Sequence, residues 1–296
     1  MAMIRIHHRT TYRYARDVVL GPHRLLLRPR DSHDIRLIAM DLTCDPPAAI
    51  MWSTDVFGNA LATASFQQPT AALTFDSRVE IEHRGEAWPV FGIAFEAISY
   101  PFSYSEDDDA ALGVLRRPQF PDPDQRLSAW ARGFVAGDPT DTLSLLQDLN
   151  AGASASLIYE VREDEGTQPP LESLDRGRGS CRDIAVLMAE AARCLGFGAR
   201  IVSGYLCAPD DSGTLGSSGA GSTHAWVEIY LPGAGWITFD PTNRKMGGAD
   251  LVPVAVGRDI RQVMPVSGSF AGAPSDFLGM TVEVGVTPLA DGSMGG

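Results

Sequence analysis

The sequence has little lysine, no closely paired cysteines and no long apolar run, and each shortage excludes a class of protein. A single lysine, Lys245, stands among 24 basic residues against 37 acidic ones, for a net charge of -13 and a pI near 4.8. Such a surface repels a phosphate backbone or an anionic membrane, so neither nucleic acid nor a lipid surface is the expected partner. Cys44, Cys181, Cys194 and Cys207 form no C-x-x-C pair, which argues against a disulfide framework or a zinc knuckle and leaves each thiol to be judged by its surroundings. No stretch approaches the ~18 to 20 apolar residues of a membrane helix. The opening Met1-Ala-Met-Ile-Arg-Ile-His-His lacks the apolar segment of a secretory signal, so a cytoplasmic location is expected. His7, His8, His23, His33 and His83 show no metal-ligand spacing such as H-E-x-x-H, and no metal or other cofactor is expected.

What is present fits a globular protein of one large or two modest domains: 296 residues, 44% of them hydrophobic. Glycine and proline, at 30 and 20 residues, predict many turns. The first hundred residues read as strand. Even positions from Ile4 to Tyr14 and odd positions from Leu73 to Ile81 carry the larger apolar and β-prone residues, the period of a strand with one buried face. Ile35 to Met40 reads as another strand, and Val56-Phe-Gly-Asn-Ala60 as a hairpin turn. Residues 1–105 are therefore expected to form an all-β, sandwich-like domain. Residues 106–126, with the acidic run Glu106 to Asp109 and then Pro118, Pro121 and Pro123, read as a solvated linker with at most one short helix. Helical signals follow at Leu127 to Val135 and, behind a cap at Asp141, to Leu149, opening a core expected over 127–250 and followed by a C-terminal segment over 251–296.

The most informative stretch is Gly177 to Gly196. Ile184, Leu187, Met188, Ala191, Ala192 and Leu195 follow the i, i+3, i+4, i+7 template, so the segment is a helix with one buried stripe, stopped by Gly196 and Gly198. Ser180 fits the N-cap, and Asp183, three residues on, can close a capping box. Cys181 then occupies the first helical position, where free N–H groups and the helix dipole favour a thiolate. A cysteine is commonly an apolar filler, and Cys44, Cys194 and Cys207 fit that description. Cys181 departs from it if a base lies within reach.

Thr223 to Leu231 alternates Ala225, Val227, Ile229 and Leu231 on one face with His224, Trp226, Glu228 and Tyr230 on the other. A turn at Pro232-Gly-Ala-Gly235 leads to a second strand ending at Asp240. A loop over 231–235 sets Asp240 opposite Trp226 and diagonal to His224, about 7 to 8 Å away and within side-chain reach. Taken singly, His224 reads as an ordinary core or surface histidine, and Asp240 as a turn residue before proline. Together with a thiol at a helix start they have the composition and order of a Cys-His-Asp triad.

Gly179-Ser-Cys-Arg-Asp183 with its helix, Leu195-Gly-Phe-Gly-Ala-Arg-Ile-Val-Ser-Gly-Tyr205, His224-Ala-Trp-Val-Glu228 and Gly235-Trp-Ile-Thr-Phe-Asp-Pro-Thr242 resemble, in order, the catalytic blocks of the transglutaminase-like superfamily, whose core is papain-like. His23-Arg-Leu-Leu-Leu-Arg-Pro-Arg30, Asp55-Val-Phe-Gly-Asn59, Val256-Gly-Arg-Asp259 and Met280 to Val286 are similar to its bacterial branch of transglutaminase-like enzymes and candidate cysteine proteases. The resemblance implies an α+β fold: an N-terminal β-sandwich-like domain, a papain-like core with an antiparallel sheet, and a last segment that returns as a strand. It also implies Cys181 as nucleophile, His224 as general base and acid, and Asp240 as the orienting carboxylate.

The chemistry expected is attack on a peptide or protein amide through a thioester, ending in hydrolysis by water or in transfer to an amine. Hydrolysis is favoured, since the sequence shows no acidic loop of the calcium-binding kind. The rival from another class is a binding module that keeps the scaffold without the chemistry. It predicts that Cys181 alkylates no faster than Cys44 or Cys207. Ala208 to Ser222, rich in Asp, Gly and Ser, is a candidate substrate-facing loop. The sequence is silent on oligomeric state.

Overall fold

Strands with one apolar face must bury it, and the first hundred residues do so by stacking two antiparallel sheets. The computed structural model describes residues 2–86, 91–161, 166–207 and 222–289. In one sheet β1 (Ala2–Leu20) runs beside β6 (Thr70–His83), which pairs with β3 (Ile35–Asp45). In the other, β2 (His23–Leu25) pairs with β5 (Ala60–Ser65) and β5 with β4 (Ala49–Thr54). The side chains of Tyr14, Val18, Leu20, Leu25, Leu27, Ala62, Ala64, Leu73 and Phe75 fill the space between them. β1 and β6 extend past the alternating stretches that revealed them. The free side of β1 is covered from Met3 to Tyr14 by the strand Phe277–Leu289, antiparallel, so the chain's last described strand completes its first sheet.

The second unit is built on another antiparallel sheet, in the order Lys245–Met246, Gly235–Asp240, Ser222–Leu231, Gly198–Leu206 and Leu251–Gly257. The last of these continues the sheet beyond the boundary expected at residue 250. Its run Leu251-Val-Pro-Val-Ala-Val256 is apolar almost throughout, as suits a strand buried on both faces. Four helices accompany the sheet besides the short α1 (Glu106–Leu112): α2 (Arg126–Arg132), α3 (Thr142–Ser156), α4 (Pro170–Arg176) and α5 (Cys181–Cys194). The side chain of Asp141 accepts the Ser144 N–H at 2.8 Å and so starts α3 where the sequence placed its cap. The central helix is α5, packed on the sheet on one side and on α2, α3 and α4 on the other. Every residue from Asp183 to Arg193 is buried. The single apolar stripe read from the sequence understates this, because small alanines and one internal ion pair fill the remaining faces.

That ion pair is Glu190 with Arg193, each side chain 1% exposed. Glu190 Oε2 accepts the backbone N–H groups of Gln119 and Phe120 at 2.7 and 3.0 Å. The Arg193 guanidinium donates to the carbonyls of Leu115, Ala199 and Arg258. The segment 106–126 is therefore docked on α5, which departs from the solvated linker expected. Leu112 and Leu115 are buried, Asp108 accepts from the Tyr230 hydroxyl at 3.0 Å, and Asp109 pairs with Arg116. Composition reported the charges of this segment without the partners that hold them.

The two units share one apolar cluster, in which Ile4, Ile6, Val79 and Ile81 of the sandwich pack with the interior around α5. Among the described residues no helix is long and apolar enough to cross a membrane.

Candidate active site

The start of α5 is set by its own first turn. The Asp183 carboxylate accepts the Ser180 N–H and Ser180 hydroxyl through Oδ2, both at 2.8 Å, and the Gln168 N–H through Oδ1 at 2.7 Å. The acidic half of the capping box is thus formed, while the Ser180 hydroxyl turns to the carboxylate. A Cβ on Gly179 would lie 2.9 Å from Asp183 Cβ, so only glycine lets the incoming chain pass this close. The parallel bridge of Arg178–Gly179 with Ile158–Tyr159 fixes the approach further and brings Tyr159 beside the helix start. Tyr159 escaped the sequence reading because a bridge two residues long has no periodicity to detect.

The hairpin register expected from the sequence is the one observed: Tyr230 pairs with Trp236 and Val227 with Phe239, which sets Asp240 level with Trp226. The loop itself is tighter, since Leu231 and Gly235 still pair and leave 232–234 as the turn, with Gly233 at φ 81°. Across this register His224 Nε2 lies 2.9 Å from Asp240 Oδ2, both side chains being almost wholly buried. Asp240 is held in turn by the Thr242 N–H at 3.1 Å and the Asn243 side-chain amide at 2.7 Å. The Asp-Pro-Thr-Asn turn therefore orients the carboxylate it contains. Nothing in the sequence marked Asn243, whose role depends on the local fold of that turn.

With Nε2 engaged by Asp240, the other ring nitrogen of His224 is left for Cys181, whose thiol the imidazole stabilises by hydrogen bonding and charge. Burial by itself would push the Cys181 thiol up. The His224 hydrogen bond and charge, the Ala225 N–H and the charge of Arg182 outweigh it and hold the thiol below its ordinary value. Burial likewise opposes charge on His224, but its hydrogen bond and attraction to Asp240, and then those to Cys181, raise the imidazole to about 10. Asp240 lies below the ordinary carboxylate range, because the His224 and Asn243 bonds overcome its burial. Thiolate beside imidazolium is the state these shifts favour. The other thiols move the opposite way: burial pushes Cys44 to about 11, and burial with the nearby charge of Asp250 pushes Cys207 to about 12. Burial also raises Cys194.

The two tryptophans of the hairpin differ in their surroundings. Trp226 is buried and lies with its ring 6.0 Å from the His224 ring at 30°. Trp236 packs against Tyr230 and under the Arg200 guanidinium. The loop 208–222 expected to face substrate falls, but for the strand residue Ser222, outside the described residues.

Comparison with known proteins agrees with this arrangement of units. Residues 128–241 match the transglutaminase-like superfamily, and residues 4–82 match the bacterial transglutaminase-like N-terminal region. An uncharacterized protein of Mycobacterium tuberculosis is 28% identical over 294 residues, covering 95% of this chain and 91% of its own. The crystal structure of a candidate cysteine protease from Cytophaga hutchinsonii superposes with a TM-score of 0.73 over 97% of this chain and 91% of that one, and at 19% identity this shows a shared fold. A protein-glutamine gamma-glutamyltransferase of Pseudomonas aeruginosa is 36% identical over 74 residues, 23% of this chain and 10% of that one. The chain thus carries a transglutaminase-like core over residues 128–241, behind a bacterial transglutaminase-like N-terminal region over residues 4–82.

Proposed function

We propose that the protein is a cysteine-dependent amide-bond enzyme, a peptidase or amidase acting through Cys181, His224 and Asp240. The observation that supports this most is the alignment of thiol, imidazole and carboxylate, with Cys181 the one thiol of the four that is lowered although burial alone would raise it. The Cys181 thiolate attacks the amide carbon, and the electron pair of the C=O bond moves to its oxygen, for which the Cys181 backbone N–H at the start of α5 is the candidate donor. The imidazolium of His224 gives its proton to the leaving nitrogen as the C–N bond breaks and a thioester forms. Neutral His224 then takes a proton from water, whose oxygen displaces sulfur, releasing the carboxylic acid and restoring the thiolate. Asp240 keeps the ring oriented and stabilises its charged form throughout.

An amine in place of water at the second step gives transglutaminase-type transfer with the same residues, the alternative that the local similarity to a protein-glutamine gamma-glutamyltransferase favours. The test is to incubate the protein with casein or a peptide mixture, with and without an added primary amine, and read products by mass spectrometry. Hydrolytic products that are independent of the amine and lost with Cys181→Ala support the proposal. Amine adducts on glutamine in their place convert it to acyl transfer, and neither product contradicts both.

A further inference from the structure

The motifs Arg28-Pro-Arg30 and Asp55-Val-Phe-Gly-Asn59 lie in the sandwich, away from the triad in sequence, and the reaction steps leave them without a part. The structure gives them one. Asp55 Oδ1 accepts the N–H groups of Phe57 and Asn59, both at 2.9 Å, and Oδ2 accepts the Asn59 side-chain amide at 2.9 Å. Gly58, at φ 76°, closes the turn. The turn is a rigid block, and it is clamped to the second unit. Asn59 is fully buried, and its side chain behaves as one more strand residue: Nδ2 donates to the Val256 carbonyl at 2.7 Å, and Oδ1 accepts the Val256 N–H at 2.9 Å. Arg30 Nη1 donates to the same Oδ1 at 2.6 Å and to the Phe57 carbonyl at 3.3 Å.

This clamp presses the Phe57 ring onto a small apolar cluster of Val202, Leu206, Trp226, Leu251 and Val256. Trp226 has nowhere to retreat. A Cβ on Gly204 would collide with the Trp226 ring and with the Val252 carbonyl, so the indole already fills the space above that glycine. On its remaining side Trp226 stacks with His224, two residues earlier on the same strand face. The apolar cluster on which Phe57 rests therefore leads, through its member Trp226, to the face of the imidazole, while Asp240 holds that ring at Nε2.

We propose that the Asp55–Asn59 turn is a positioning element of the catalytic centre, and that Phe57, acting through Trp226, fixes the plane of the His224 ring. The inference rests on the reading of Cys181 and His224 as a catalytic pair. Loss of the Phe57 ring leaves a void beside Trp226, lets the indole and imidazole tilt, and weakens the geometry of the thiolate–imidazolium pair. A misplacement of this kind costs on the order of ten- to a hundredfold in rate without any loss of chemical groups.

The test is the pH dependence of Cys181 alkylation by iodoacetamide, mapped by mass spectrometry, in the full chain and in Phe57→Ala, Phe57→Leu and Leu73→Ala. Leu73 is buried between the two sandwich sheets, so its variant loses stability without touching the turn. The expected result is a midpoint raised by about one unit in Phe57→Ala, with Phe57→Leu between it and the native protein and Leu73→Ala unchanged. Phe57→Ala with the native midpoint overturns this inference and leaves the catalytic pair standing, as does an equal shift in Leu73→Ala. A native protein whose Cys181 titrates like a free thiol overturns the pair and this inference with it. Should Phe57→Ala fail to fold, Phe57→Leu decides alone, its midpoint expected above the native value.

Discussion

Cys181→Ala is expected to lower turnover of an amide substrate by at least about 10⁴-fold, to the level the folded scaffold supplies without a nucleophile. Its melting temperature should change little. The side chain is small, and the capping bonds that start α5 run through Ser180, Asp183 and Gln168 rather than through the thiol. Cys181→Ser should be nearly as inactive, because a serine hydroxyl has no thiolate-like state near neutral pH that His224 could stabilise. Matched activity and melting curves on the purified variants check both statements. Substantial residual turnover in Cys181→Ala would place the chemistry elsewhere.

Glu190→Ala is expected to destabilise the fold by about 3–5 kcal/mol, the cost of leaving a buried arginine without its counter-charge. The loss lies toward the upper end, because Glu190 also holds the N–H groups of Gln119 and Phe120, and its removal strands three charged or polar groups at once. The double variant Glu190→Leu with Arg193→Met removes both charges and should recover part of the loss. Recovery is incomplete, since the carbonyls of Leu115, Ala199 and Arg258 lose their donor. Urea unfolding of the two variants measures this. A single-variant loss under about 1 kcal/mol would mean that the docked segment 113–120 is not anchored by this pair.

Much of the candidate site was legible because it obeys local rules. The i, i+3 spacing at Ser180 and Asp183 announced a helix start, and the period of two on either side of Gly233 set the hairpin register that brings Asp240 to His224. The sandwich strands showed themselves by alternation in the same way. What stayed hidden depends on contacts between distant segments. Glu190 and Arg193 look like the polar face of an amphipathic helix until the chain from Leu115 to Phe120 covers them. The strand Leu251–Gly257 gives a short apolar run that belongs to whichever sheet will take it, and only the fold sets it beside Gly198–Leu206. Asn59 reads as a turn residue, and its bonds to Val256 join positions far apart in the chain.

The measurement closest to the central claim is the rate of iodoacetamide labelling of each cysteine against pH, in the native protein and in His224→Ala. Cys181 is held below its ordinary value and His224 is raised to about 10, so the thiolate exists on the acid side of the ordinary thiol value. The imidazolium partner is present up to that raised value and is lost as pH climbs through it. The account therefore predicts labelling of Cys181 already fast at neutral pH, with a midpoint below the ~8.5 of a free thiol. Cys44 and Cys207 should stay slow until far higher pH. In His224→Ala the attraction is gone and burial remains, so the Cys181 midpoint should move above the free-thiol value. A Cys181 that labels no faster than Cys44 or Cys207, or that keeps its midpoint when His224 is removed, would contradict the thiolate–imidazolium pair on which the proposed chemistry stands.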